Sequence, residues 1–410
     1  MPSRPPLPLV ILLLSFPQIA ETLYSPALPL IAQAYRATPA EASQTLSFWF
    51  VAFALGVVAW GRACDLWGRR PALLAGLALY ALGAGGAMIA GDFGQLLAAR
   101  LISAFGAAVG SIVTQTALRD GYQALDLARV FSMLGIALAV SPAVGMSVGQ
   151  EIAARGSVQG VFATLLLLAI VLYCASLACW PETRPARAAA RPFWPVLRAM
   201  FQDRAIWRSA ALIAVFNLAI FGYYQLGPFL FEQLEDAWLG FGESGLALAL
   251  ASLCGAFLNT SLLRRGWGSG RLVLLGIALL ALGAGLVAVW IRHPVFLIGM
   301  ALIAAAYAIA IPNILVHALR DYAHAAGTAG AILSLFYYNL LGGALVLAGL
   351  AQRLDLLLGC CAALALVVYA VKVPIADPAP HQATAPSSCM NRRKCSTCDD
   401  SGRSERTMLP

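Results

Sequence analysis

Twelve runs of about 20 apolar residues follow one another along this chain, separated by short breaks of Gly, Pro and charge. They lie near 7–33, 43–61, 71–90, 95–118, 130–152, 158–180, 209–231, 244–263, 272–291, 294–318, 328–350 and 355–373. A bilayer core ~30 Å thick is crossed by ~20 apolar residues in a helix, so the runs predict twelve transmembrane helices. Segments such as Thr164 to Trp180 are apolar on every face, unlike the alternating ~10-residue strands of a membrane barrel. With 60% hydrophobic and 11% charged residues, the chain lacks the polar surface of a water-soluble globule, which excludes a soluble enzyme. The first run continues to about Gln33 without a small-residue cleavage site and is expected to remain as a span.

Charge sets the expected orientation. With the N-terminus inside, 22 of the 27 Lys and Arg residues fall on the cytoplasmic side and four (Arg36, Arg155, Arg292, Arg353) outside; Arg100 lies within a span. By the positive-inside rule both termini are cytoplasmic. The same asymmetry explains the net charge of +8 without a nucleic-acid partner.

The chain repeats itself. Trp67-Gly68, Leu74, Gly76 and Ala81 to Gly85 recur 200 residues later as Trp267-Gly268, Leu274, Gly276 and Ala281 to Gly285. Ala117-Leu118-Arg119-Asp120 recurs as Ala318-Leu319-Arg320-Asp321. Six spans per repeat give both halves one topology, related by an axis along the membrane normal, with a substrate site expected between them. The predicted organisation is an N-terminal half (1–180), a cytoplasmic central loop rich in Pro and Arg (181–208), a C-terminal half (209–373) and a disordered cytoplasmic tail (374–410).

Six cysteines (Cys64, Cys174, Cys179, Cys254, Cys360, Cys361) lie in or beside apolar runs and read as small packing residues. The tail's Cys389, Cys395 and Cys398 fall short of a closed zinc site, so no metal and no cofactor is expected. A membrane enzyme would need clustered nucleophiles or metal ligands, whereas the four histidines are scattered. No Gly-x-x-x-x-Gly-Lys-Ser/Thr loop is present, so ATP is not the expected energy source.

The tight junction between spans 2 and 3 reads Gly61-Arg62-Ala63-Cys64-Asp65-Leu66-Trp67-Gly68-Arg69-Arg70. Its glycines permit a sharp reversal and its arginines face lipid headgroups. Asp65 is placed to reach the positive end of a helix starting on the same side, such as span 11 near Gly327-Thr328. In the second half Arg265 stands where Asp65 would fall, so this latch is one-sided.

Gly61 to Arg70 resembles the loop motif of the major facilitator superfamily, Gly-x-x-x-Asp-x-x-Gly-Arg-Arg. Tyr24-Ser25-Pro26-Ala27-Leu28-Pro29, Trp180-Pro181-Glu182-Thr183-Arg184-Pro185, Arg119-Asp120-Gly121-Tyr122 and Ala326 to Gly330 are similar to its Bcr/CflA drug-resistance branch, particularly EmrD-like members. The resemblance covers residues 7 to about 373 and implies the major facilitator fold and a proton-driven exporter of small, often lipophilic molecules. In span 4 the family's Arg-x-x-Gln-Gly-x-Gly is kept only at Arg100 and Gly106. An arginine there costs ~2.5 to 3.5 kcal/mol on insertion scales, so Arg100 should face a polar interior, or else snorkel to the outer interface six residues away. In span 5 Pro142 and Gly145 fit the antiporter-type motif, while Ala137, Ser141 and Met146 replace glycines.

Several residues are candidates for the site. Gln18, Glu21 and Ser25 form a polar stripe on span 1, with Tyr24 beside it, and Glu21 is the one acid away from the span ends. An apolar setting disfavours its charged form, which suits a proton site. Opposite, Asn217, Tyr224 and Gln225 of span 7 and Tyr338 and Asn339 of span 11 offer aromatic faces with hydrogen-bonding tips for planar, lipophilic or cationic ligands. Ser141, Gly145 and Gly149 of span 5, with Pro142, and Ala251 and Gly255 of span 8 form smooth faces expected to seal the interface between halves. The reading is a monomeric inner-membrane antiporter whose partners are protons, a small-molecule substrate and the lipid bilayer. Transport of a specific metabolite, such as a siderophore or nucleoside, is the alternative within the same fold.

Overall fold

Thr38, Ser157 and Asp203 cap the helices that follow them with their side chains. The computed structural model describes residues 5–121, 124–184, 193–234, 239–322 and 325–371. Among them every regular element is helical: α1 (Leu7–Tyr24), a 3₁₀ turn (Ser25–Ala27), α2 (Leu28–Ala34), α3 (Pro39–Trp67), α4 (Arg69–Met88), α5 (Phe93–Gly121), α6 (Ala124–Ala154) and α7 (Val158–Cys179). After these come α8 (Phe193–Gln202), α9 (Arg204–Phe231), α10 (Phe241–Arg264), α11 (Ser269–Trp290), α12 (Phe296–Ala318), α13 (Ala326–Ala351) and α14 (Leu354–Ala370). The tail with its three cysteines, Tyr122 and the middle of the central loop lie outside the described residues.

Eleven of these segments, counting α1 to α2 as one, are long and apolar enough to cross a membrane, and α14 is a shorter apolar helix of 17 residues. Thr38 opens α3 with a capping box, its hydroxyl accepting from Glu41 N (3.2 Å) while Glu41 accepts from Thr38 N (2.7 Å). Within the central loop, Phe193–Gln202 folds into α8.

The sequence repeat reappears as a packing repeat. α4 packs on α5 as α11 does on α12, α1 on α6 as α9 on α13, and α4 on α7 as α11 on α14. Gly83 and its counterpart Gly283 perform the same task in the two copies. A Cβ on Gly83 would meet Ala99 O of α5 at 2.8 Å, and one on Gly283 would meet Gly299 O of α12 at 2.6 Å. Small residues at both places let the backbones close up, which is how helices associate where lipid removes the hydrophobic drive. Two pairs, α3 with α13 and α6 with α10, join the N-terminal and C-terminal sets, and residues 1–372 form one compact unit.

Candidate functional site

Span 1 is not one straight helix. Pro26 and Pro29 follow Ser25, and the 3₁₀ turn at Ser25–Ala27 interrupts it one turn beyond Glu21. The predicted polar stripe divides among three neighbours. Gln18 accepts from Ser141 Oγ of α6 (2.9 Å), and Ser25 Oγ donates to Tyr224 O of α9. Glu21 alone is left facing the middle of the bundle, 3% exposed, with Oε1 lacking any hydrogen-bond partner.

Around Glu21 stand groups from four helices. Arg100 of α5, Tyr224 of α9, Tyr307 of α12 and Tyr338 of α13 are within its electrostatic reach. Tyr307 Oη donates to Asn217 Oδ1 (3.4 Å), and the Asn217 amide donates to Ile213 O (2.7 Å). Tyr338 stacks on Phe50 (6.0 Å) and meets Phe53 edge-on (5.1 Å), bringing α3 and α13 together through their rings. Tyr307 carried no sequence signal except that it is the lone polar side chain in the middle of an apolar span.

Arg100 does not snorkel to an interface. It is 1% exposed, with its guanidinium carbon 3.9 Å from the Tyr24 ring centre and 4.3 Å from that of Trp49. Its Nε and Nη2 have no hydrogen-bond partner, so the π faces supply its stabilisation. Tyr24, whose hydroxyl donates to Thr45 Oγ1 (3.0 Å), therefore belongs to this slot inside the N-terminal set rather than to the space around Glu21.

Two more expected lining residues lie elsewhere. Asn339 is exposed and donates back to Leu335 O (2.7 Å), because its position on α13 is a full 100° from Tyr338. Gln225 is fully buried at a three-helix junction, where its amide donates to Ser47 Oγ of α3 (3.2 Å) and Leu345 O of α13 (3.1 Å). Close by, Gln44 donates to Val346 O (3.3 Å), Gln352 to Ser43 Oγ (3.0 Å), and Gln150 of α6 accepts from Gly242 N at the start of α10. All these bonds join the two sets at the end of the bundle remote from the Gly61–Arg70 loop. A recess of about 430 Å³ opens at that same end, lined by Pro29, Gln33, Gln150, Pro228, Phe231 and Phe241, and none of the candidate cavity residues borders it.

The small-residue faces also meet different partners from those expected. Gly145 and Gly149 press on α1, where added Cβ atoms would come within 2.0 Å of Thr22 Oγ1 and 2.1 Å of Leu23 O. Gly255 presses on Ala305 of α12, and Ala251 is only half-buried. The α6–α10 seal instead uses Ala143, Met146 and Gln150 against Gly242 and Gly245. Pro142 is buried within α6. Small residues populate adjacent faces of α6, so the sequence alone could not say which neighbour each face would meet.

At the loop end, Gly68 joins α3 to α4 with φ of 106°, and a Cβ there would come within 2.5 Å of Glu182 Oε2. Glu182, of the Trp180–Pro185 motif, is the residue that fastens this turn. Its carboxylate accepts from Arg69 N (2.9 Å), Arg70 N (3.1 Å) and Arg184 N (2.9 Å), capping α4 where the helix dipole is positive. Arg69, buried, donates to Asp120 Oδ2 (2.8 Å) and Cys64 O (3.0 Å), and Arg70 donates to Leu177 O (2.7 Å). Gly61 lies against Ile112 of α5. Asp65, 43% exposed, reaches Arg69 (3.5 Å) rather than the start of α13. Among the described residues the one ion pair of Asp65 at this end is with Arg69, inside the N-terminal set.

Partial burial works against the charge of Glu182, but the N–H groups of Arg69, Arg184 and Arg70 outweigh it and hold its carboxyl below the usual carboxylate range. A depressed value means stabilisation that is present above the ordinary carboxylate pKa and is lost as pH falls through the lowered one. Glu182→Gln should therefore destabilise the protein by about 1 kcal/mol at neutral pH, a small figure because the group is partly solvated. Thermal melts of both proteins should converge only as pH falls through the lowered carboxyl value, below the usual carboxylate range. An unchanged melting temperature at pH 7 would remove Glu182 as the fastening.

Apolar helices long enough to cross a bilayer and packed in a repeated pattern make this a multi-pass membrane protein, and its family is one of transporters, not enzymes. The chain belongs to the Major Facilitator Superfamily, whose family model matches residues 10–347. It is 30% identical over 349 residues to an uncharacterized transporter of Rickettsia bellii, covering 81% of this chain and 86% of that one. It is 29% identical to a chloramphenicol resistance protein of Pseudomonas aeruginosa, covering 79% and 77%, and 27% identical over 185 residues to multidrug resistance protein D of Escherichia coli, covering 44% and 46%. These relatives agree with the drug-resistance branch of the superfamily. The crystal structure of a D-xylose-proton symporter matches with a TM-score of 0.74 at 15% identity, covering 90% of this chain and 97% of that one, a likeness of fold alone.

Proposed function

We propose that this chain is a proton-coupled antiporter that exports small lipophilic or cationic compounds across a bacterial inner membrane by alternating access. In this reading it works as a monomer of twelve spans, α14 included, arranged as two six-helix halves with both termini and the central loop in the cytoplasm. The repeated packing pattern and the arginine asymmetry support that arrangement. The resistance proteins among its relatives support the substrate class.

The observation that carries the reading is Glu21, a buried carboxylate whose Oε1 has no partner, facing tyrosines of the opposite half. A group so placed takes up a proton or a substrate cation in turn, because either one gives the buried carboxylate the direct partner that its Oε1 lacks. The glutamine and serine bonds remote from the loop hold the present state, and Asp65 engages α13 in the alternate one.

With one such carboxylate, one proton enters for each molecule exported. A monovalent cation then exchanges without net charge movement, driven by ΔpH alone at about 1.4 kcal/mol per unit. A neutral compound such as chloramphenicol also draws on membrane potential at ~2.3 kcal/mol per 100 mV. Proteoliposomes in which ΔpH and potential are set separately test this: cation uptake should follow ΔpH and ignore potential, while neutral uptake should follow both. Strong potential dependence of the cation sinks the one-proton scheme, and indifference of both substrates to ΔpH sinks proton coupling.

A further inference from the structure

The central loop contributes a surface that transport itself does not require. α8 buries Met200 completely and half-buries Phe193, Val196 and Leu197 on one face, packing against α9 and α13. The neighbouring flank is bare, with Trp194 75% and Phe201 60% exposed and Arg198 exposed one turn after Trp194. Phe201 is held by ring contacts to Trp207 (5.6 Å) and to Phe336 of α13 (6.2 Å), which fixes the rotation of the helix and therefore the direction of this flank.

One residue, Asp203, separates α8 from α9. Because α9 is a candidate membrane span beginning at Arg204, and consecutive Cα atoms are ~3.8 Å apart, α8 cannot leave the headgroup region. Aromatic side chains exposed at that depth meet neither bulk water nor the acyl core but the interface, where tryptophan is favoured.

Charge identifies what they meet. Between residues 183 and 231 the chain has one acid, Asp203, and it is engaged: Oδ1 accepts from Ala205 N (2.8 Å) and Oδ2 from Tyr322 Oη (3.0 Å). Arg208 is also engaged, donating to Val368 O and Tyr369 O. Arg198 has neither a hydrogen bond nor an ion pair among the described residues, and it shares a helix face with two exposed rings, four residues after Trp194 and three before Phe201. An unpaired cation beside interfacial aromatics, at the depth of lipid phosphates, is complementary to anionic headgroups.

We propose that Trp194, Arg198 and Phe201 of α8 form a docking surface for anionic phospholipid, with Arg198 on the headgroup and the two rings in the interface. This surface stands whatever compound is exported. The test reconstitutes the full chain in phosphatidylcholine vesicles carrying bromine near the glycerol end of either phosphatidylglycerol or phosphatidylcholine, at equal mole fraction. The difference in tryptophan emission between wild type and Trp194→Phe reports on Trp194. That contribution should be quenched by both lipids, with an about fivefold preference for phosphatidylglycerol, the enrichment that ~1 kcal/mol per basic residue supports. Arg198→Gln should abolish the preference while leaving the quenching. If Trp194 is quenched by aqueous iodide and by neither lipid, the surface faces water and the proposal fails. If both lipids quench equally in the wild type, the recognition of anionic headgroups fails. Elution as a single monodisperse peak confirms that each variant has folded.

Discussion

Glu21→Gln should leave a folded protein that accumulates no substrate against its gradient under an imposed ΔpH. The amide matches the carboxyl in shape, so the packing of α1 against α5 and α6 is retained, but it cannot exchange a proton. Each pH unit of driving force is a factor of ten in concentration. With one proton per molecule, a gradient of about 2 units sustains an about 100-fold accumulation by the wild type and none by the variant. Slow downhill movement of neutral compounds should persist, because the aromatic rings of Phe50, Phe53 and Tyr338 are untouched. Arg100 should keep its place, since its neighbours are the Tyr24 and Trp49 rings rather than an ion-pair contact with Glu21. Counterflow and ΔpH-driven uptake in the same vesicles separate the two activities. ΔpH-driven accumulation of a cation at the wild-type level by Glu21→Gln would move the proton site elsewhere.

A second large effect is expected at Gly149, on folding rather than on turnover. A Cβ there would lie 2.1 Å from Leu23 O, 2.9 Å from its carbonyl carbon and 3.0 Å from its Cα, all backbone atoms of α1. No side-chain rotation relieves such a clash, so α1 must move away from α6. Overpacking of this kind typically costs ~1 to 3 kcal/mol per site and more when the backbone is rigid. Gly149→Leu should lose most of its monodisperse protein in detergent, and even Gly149→Ala should melt earlier than wild type. Gly145→Ala should be milder, because its nearest atom is the rotatable Thr22 hydroxyl. Gly85, with nothing within 4 Å of an added Cβ, is the control, and Gly85→Leu should behave as wild type. Wild-type yield and melting for Gly149→Leu would show that α1 and α6 are not held at this distance.

The two substitutions differ in how legible their sites were. Glu21 could be singled out from the sequence because an acid far from the ends of an apolar run is costly wherever it points. Gly149 is visible as part of a smooth face, but its neighbour is not, since α6 presents small residues on more than one side. For Arg100 the sequence leaves a polar interior and snorkelling both open, and nothing local foretells that rings from α1 and α3 enclose it. Glu182 lay in plain view in Trp180-Pro181-Glu182-Thr183-Arg184, and its role emerged only when the end of α7 came beside the start of α4.

What the sequence determined by itself was therefore the set of properties governed by local hydropathy and by repetition. The apolar runs became helices, since in lipid each backbone donor must find its acceptor within the segment. The repeat of spans 3 and 9 became a repeated packing pattern, because Gly83 and Gly283 sit at equivalent contacts. Tertiary structure decided everything that depends on which face meets which neighbour. A helix turns ~100° per residue, so one position separates Tyr338 at the aromatic junction from exposed Asn339, and Glu21 in the centre from Thr22 against Gly145. In an apolar bundle nearly every side chain suits burial, and hydrophobicity cannot choose among faces; the close approach of backbones at Gly145, Gly149, Gly242 and Gly245 makes that choice.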